Sequence, residues 1–201
     1  MPMDISHRTG ENGLAPRTCG TCTLCCKLLQ VESLGKPQGK WCESCTVGGG
    51  CRMYDTRPLE CRRFFCGYLM LRELDESWRP SLSKLVICLE GGESKTIFVH
   101  VDPDRADAWK RAPYYQKLKE WSQRAIAGRG QVIVKLGLRA IAILPDKEVD
   151  LGPVGEDEMV VTRERRTPRG LELDVIKLRR DDARAAMLLP QDKRPGIALD
   201  R

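Results

Sequence analysis

Nine of the ten cysteines in this 201-residue chain fall between Cys19 and Cys66, and the first four are spaced C-x2-C-x2-C-C, at Cys19, Cys22, Cys25 and Cys26. So dense a run of thiols leaves the segment three ways to fold: a disulfide framework, a set of metal ligands, or a thiol-rich core. The redox compartment decides among them. Residues 1–17 read MPMDISHRTGENGLAPR, without the basic start and apolar core of a secretory signal. No window approaches the roughly 20 apolar residues of a membrane helix. The expectation is a cytoplasmic protein with no membrane span, where glutathione and thioredoxin keep thiols reduced. Clustered thiols there read as metal ligands ahead of disulfides.

Histidine is scarce: only His7 and His100 occur. That removes the Cys2His2 zinc pattern and most routes to histidine acid–base catalysis. The net charge of +6 is mild, and its basic residues are interleaved with acids. This speaks against nucleic acid as the main partner and leaves a protein partner open; the oligomeric state is not written in the sequence. A hydrophobic content of 41% supports a core. The chain divides into a tail over 1–18, a cysteine-cluster module over 19–75, an α+β body over 76–182, and a second tail over 183–201, both tails expected to be at least partly disordered.

Spacing limits the geometry of the thiols. A helix over 19–29 would put Cys19, Cys22 and Cys26 on one stripe and Cys25 to its side. A ferredoxin-like turn is the alternative, with successive C-x2-C steps wrapping one cluster. Under either reading Cys25 and Cys26 serve different centres. The set continues with C-x2-C at Cys42 and Cys45, then Cys51 after three glycines, Cys61 and Cys66. Nine thiols suffice for two four-thiolate sites with one spare. Lysines and arginines outnumber acids between 19 and 66, a positive scaffold that balances anionic thiolates, although single charges are usually solvated. Arg57 and Pro58 read as a helix entry, with Cys61 and Cys66 on that helix or its start. Gly48, Gly49 and Gly50 would let backbone amides approach sulfur. They do not form a phosphate loop, because the G-x-x-x-x-G-K-S/T pattern is missing.

At these residues the chain resembles a known family. C-x2-C-x2-C-C at Cys19 to Cys26, followed by G-C-x-x-Y-x-x-R-P-x-x-C-R-x-F at Gly50, Cys51, Tyr54, Arg57, Pro58, Cys61, Arg62 and Phe64, is similar to the YkgJ-type cysteine cluster family, described as zinc- or iron-chelating proteins. The similarity covers about residues 19 to 70. It implies that Cys19, Cys22, Cys25, Cys26, Cys51 and Cys61 are metal ligands, with Cys42, Cys45 and Cys66 joining them as a W-C-x-x-C variant. That family also includes a flagellin lysine methylase with an iron–sulfur centre. No G-x-G-x-x-G follows a clear strand here, so the resemblance supplies chelation more firmly than any reaction.

The remainder reads as an α+β body, with the cysteine module packed on a small antiparallel sheet with two helices on one side. Lys84–Leu89 with Thr96–Val101, Val132–Lys135 with Arg139–Leu144, and Met159–Arg163 with Leu171–Lys177 read as three hairpins. One helix opens at Asp102 and Pro103 and runs through Lys110. The other spans Pro113 to Ala127 and ends at Gly128. Cys88 in LVICL reads as a buried, inert thiol, and His100 as a strand residue hydrogen-bonded locally. Trp109, Tyr114, Tyr115 and Trp121 read as core. With nearby lysines and arginines they offer a stacking surface for single-stranded nucleic acid as the alternative.

Three functional classes stand: a cytoplasmic metal-binding protein carrying zinc or an iron–sulfur cluster in one or two centres; an iron–sulfur-dependent oxidoreductase or protein-modifying enzyme; and a zinc-dependent nucleic-acid or protein adaptor. All-thiolate tetrahedral sites suit both zinc and iron–sulfur.

Overall fold

The computed structural model describes residues 17–90, 96–128, 130–168 and 170–184. The loop at Gly91 and Gly92, His7 and most of both expected tails lie outside the described residues. No helix among the described residues is long and apolar enough to cross a membrane.

Alternating and continuous apolar runs build one five-stranded sheet from β3 (Leu85–Glu90), β4 (Thr96–Val101), β5 (Gln131–Leu136), β6 (Arg139–Ile143) and β7 (Glu148–Pro153), in that spatial order. Two strands of two residues each, β1 (Cys45–Thr46) and β2 (Gly50–Cys51), pair on their own, as do β8 (Glu158–Thr167) and β9 (Gly170–Arg179). Short helices α1 (Cys25–Leu28), α2 (Leu59–Arg63), α3 (Gly67–Met70) and α4 (Pro80–Ser83) precede the sheet, and α5 (Tyr114–Ala127) lies between β4 and β5.

The sheet is mixed, which corrects the antiparallel expectation. β4 and β5 run parallel, Thr96 opposite Gln131 through His100 opposite Lys135. A helix-bearing crossover makes this possible: α5 carries the chain back over the sheet so that β5 starts at the same end as β4. All three expected hairpins form, but the third, β8–β9, is a separate ribbon. The helix expected from Asp102 is replaced by two 3-10 turns, Pro103–Arg105 and Ala108–Lys110. The Asp102 carboxylate still caps the first of them, accepting from the Asp104 amide at 3.2 Å. Among the described residues α5 is the one long helix.

On one face of the sheet, Leu118, Trp121 and Ala125 of α5 pack with Leu85, Ile87, Val99, Val132, Val134 and Ile143. Trp109 and Trp121 are buried there, so neither is available as a stacking platform. Val86 faces the other way and meets Leu24 and Leu28 of the α1 region, while Ile133, Ala142 and Leu144 meet Val175 of the ribbon. The basic stretch on β8 is matched across the ribbon, Arg163 to Asp174 at 3.0 Å and Arg165 to Glu172 at 3.6 Å.

β3 is an edge strand, and the cysteine-rich segment closes it from both sides. Tyr68 and Cys66 join the α5 face; Leu24 and Leu28 join the opposite face. Close approach needs Gly67, because a Cβ there would stand 2.6 Å from Ile87 Cγ2. Covering the edge removes a template for unwanted strand pairing and fixes the cysteines against a rigid wall.

Candidate metal centre

The first C-x2-C step is a turn, with the Cys22 amide donating to the Cys19 carbonyl at 2.9 Å. Gly20 takes φ of +53°, a left-handed conformation that stops a helix from starting at Cys19. Only the last part of the expected 19–29 helix forms, as α1. Cys42 and Cys45 repeat the turn, with the Cys45 amide donating to the Cys42 carbonyl at 3.0 Å. The Cys42 amide in turn donates to the Cys26 carbonyl at 3.0 Å, which ties the two motifs together. Cys45 lies opposite Cys51 across β1 and β2. The Gly48 amide donates to Thr23 Oγ1 at 3.2 Å and docks that hairpin onto the first motif.

Cys61 sits on α2, entered from Pro58 as the sequence suggests. Cys66 does not share that helix. The chain turns extended at Phe64, and Cys66 stands at the N-terminal boundary of the separate helix α3, packed into the core beside the sheet.

Cys19, Cys22, Cys25, Cys26, Cys42, Cys51, Cys61 and Cys66 all line one cavity of about 240 Å³, with apolar walls that include Leu29, Met53, Phe64 and Leu69. Cys45 stands behind it, hydrogen-bonded to Cys26. Every one of the ten cysteines is a free thiol. The thiols converge without closing: among the described residues no group of three or more His, Cys, Asp or Glu is arranged to hold a metal ion.

Electrostatic contacts link the thiols into two overlapping neighbourhoods, with Cys26 also reaching Cys19, and Cys25 and Cys26 share one of them rather than standing apart as their adjacency suggested. Burial pushes the Cys19 thiol up, and Cys22 adds to it. Burial also raises Cys66, to about 11, against hydrogen bonds from the backbone of Tyr68 and Ile87, and the nearby Cys22 and Cys19 add to the rise. In the second group a hydrogen bond with Cys25, and then burial, push Cys26 up. Cys45 rises to about 11 through burial and the presence of Cys26. Cys61 is raised by burial, then by Cys26, Cys42 and Cys51. Thiols so placed resist ionising together, because each thiolate would repel the next in a partly desolvated site. A cation among them reverses that balance, since a coordinating thiol is deprotonated outright.

Two residues outside the motifs shape the site, and nothing in their local sequence marks them. Arg17 clamps the end of α3, donating to the Tyr68 carbonyl at 2.9 Å and the Leu71 carbonyl at 3.2 Å. Lys36 lines the cavity and is 6% exposed. Cys88 lies apart on β3, packed beside Leu24 and Leu28, and burial pushes its thiol up to about 12. Nδ1 of His100 lies 3.3 Å from Gln38 Nε2, and burial, aided by Lys135, lowers its imidazole to about 4. Both remain outside the thiol-lined cavity.

Comparison of the chain with protein-family models, curated proteins and solved structures finds no match.

Proposed function

We propose that this chain is a cytoplasmic metal-chelating protein in which zinc or an iron–sulfur cluster is held by the thiolates around the cavity, in one or two centres. The observation that carries the reading is the convergence of eight free cysteines, drawn from four separate stretches of chain, on a single cavity. An inert thiol-rich core gives no reason for polar turns to present sulfur to a common space. The donor set is chemically suited: soft thiolates select zinc and iron–sulfur clusters, whereas carboxylates suit magnesium and calcium. The YkgJ-type spacing of the motifs supports the same reading.

Such a centre supplies charge neutralisation and cross-linking to the surrounding chain, and an iron–sulfur cluster adds electron transfer. The chain's own residues do the rest. Cys19, Cys22 and Cys66 present one set of sulfurs, with Cys66 fixed to β3. Cys25, Cys26, Cys42, Cys45, Cys51 and Cys61 present the other. The apolar walls limit water at the sulfurs.

The iron–sulfur enzyme is the second reading, favoured by the room available. A cavity of about 240 Å³ lined by eight cysteines has room for a multi-atom cluster as well as for a single ion. Anaerobic isolation with metal and acid-labile sulfide counted per chain tests both. Brown protein with labile sulfide supports the cluster; colourless protein releasing zinc supports a zinc site. Protein with neither, and freely titrating thiols, contradicts the proposal.

A further inference from the structure

The described part of the molecule buries two lysines in the cysteine region, and they are treated differently. Lys27 on α1 donates to Asp102 at 2.6 Å and Asp104 at 2.7 Å, so its charge has carboxylate partners. Lys36 takes part in no ion pair with a carboxylate among the described residues. Its ammonium donates to the carbonyls of Lys27 and Pro37, both at 3.1 Å, and of Leu29. Three N–H groups meet three carbonyls, and the hydrogen-bonding capacity of the head is filled.

Carbonyls satisfy the hydrogens without neutralising the charge. An ammonium removed from water without an opposite charge is costly. Lys36 lines the same cavity as Cys25, Cys26, Cys42 and Cys61; burial lowers its pKa, and these four, as thiolates, would work against that and favour the charged ammonium. The backbone holds it there rigidly: Val31 and Lys36 exchange both backbone hydrogen bonds, at 2.9 and 3.0 Å, around a 3-10 turn closed by Gly35 at φ +58°. The lysine is therefore fixed at the cavity wall beside thiols.

We propose that Lys36 is the resident counter-cation of the thiolate group formed by Cys25, Cys26, Cys42 and Cys61, a positioning residue that stabilises their anionic, metal-loaded form. This rests on the metal-chelating reading. Four thiolates around a divalent ion carry a net charge of −2, and a fixed ammonium at the wall offsets part of it. Outer-shell groups of this kind are worth about 10- to 100-fold in metal affinity.

The test uses the full chain, reduced and metal-free, titrated with zinc against a chromophoric chelator. Lys36→Met removes the charge and keeps the stem; Lys36→Arg keeps the charge. The expected result is zinc binding weakened about 10- to 100-fold in Lys36→Met, confined to one class of site where two are filled, with Lys36→Arg close to wild type. Metal-free melting temperatures report any purely structural role separately. Should Lys36→Met fail to fold, Lys36→Gln replaces it, retaining two N–H donors for the carbonyls without the charge, and the same loss is expected. Zinc affinity equal to wild type in the neutral variant, or an equal loss in Lys36→Arg, overturns the proposal while leaving metal binding intact. A wild-type chain that takes up no zinc overturns the metal-chelating reading itself.

Discussion

The cysteine-rich region and the sheet body solve the problem of staying folded in opposite ways. In the body, Leu85, Val86, Val99, Val132 and Val134 are completely buried, and long ladders satisfy the backbone. Between residues 19 and 66 the helices have four or five residues and the strands two. Large apolar side chains such as Leu34, Trp41, Tyr54, Leu59 and Phe65 remain exposed. Helices that short do not persist on propensity alone. The body is held by burial, and the cysteine region by turns that hand sulfurs to a common point. The contrast is what the proposed metal would resolve, by serving as the core that the second region lacks, and β3 is where the two regions pack together.

The largest break in the comparison should come from a strong chelator. Structural zinc contributes on the order of 10 to 16 kcal/mol in small peptides. Hydrogen exchange after metal removal should therefore show amides of 19–64 losing protection while β3 to β6 keep theirs. Equal retention in both regions contradicts the division. Next in size is Asp102→Asn, which leaves Lys27 buried 75 residues away in sequence with only the exposed Asp104 to pair with. A loss of about 3 kcal/mol in urea denaturation is expected, because this ion pair joins α1 to the end of β4.

His100 gives a smaller, pH-dependent effect. Its imidazole titrates near 4 when folded and near 6.5 when unfolded, so the unfolded chain binds the proton first. The neutral ring's contribution is fully present above about pH 6.5 and is lost as pH falls from there through 4. For this partly exposed ring we expect about 2 kcal/mol, and His100→Gln should remove that part of the acid sensitivity in melts at pH 7 and 5. Smallest is Cys88→Ala, expected to cost about 1 kcal/mol and to leave the metal content per chain unchanged. A loss of metal in that variant places Cys88 among the ligands.

Much of the body was legible because its signals are local. The run LVICL, the TIFVHV strand, the turn at Gly137 and the helix that ends at Gly128 each declare themselves within a few residues. The parallel pairing of β4 with β5 was not, since it depends on where α5 returns the chain. β7 escaped because EVDLGP alternates over only four residues before it runs into Gly152 and Pro153, which read as a turn. At the site, the spacing located the cysteines, and Pro58 announced α2. It did not reveal that Gly20 turns the chain before α1, nor that Cys66 leaves α2 to start α3 against the sheet. Lys36 and Arg17 act through carbonyls, and any lysine or arginine has the same local appearance until the fold closes around it.

X-ray absorption at the metal edge of anaerobically purified protein tests the central claim most directly, because it reads the atoms around the metal. The account predicts a first shell of sulfur alone, at about 2.3 Å if the metal is zinc. A shell dominated by oxygen or nitrogen near 2.0 to 2.2 Å would contradict it and point instead to groups such as Glu60, among the described residues the one carboxylate lining the cavity beside its eight cysteines.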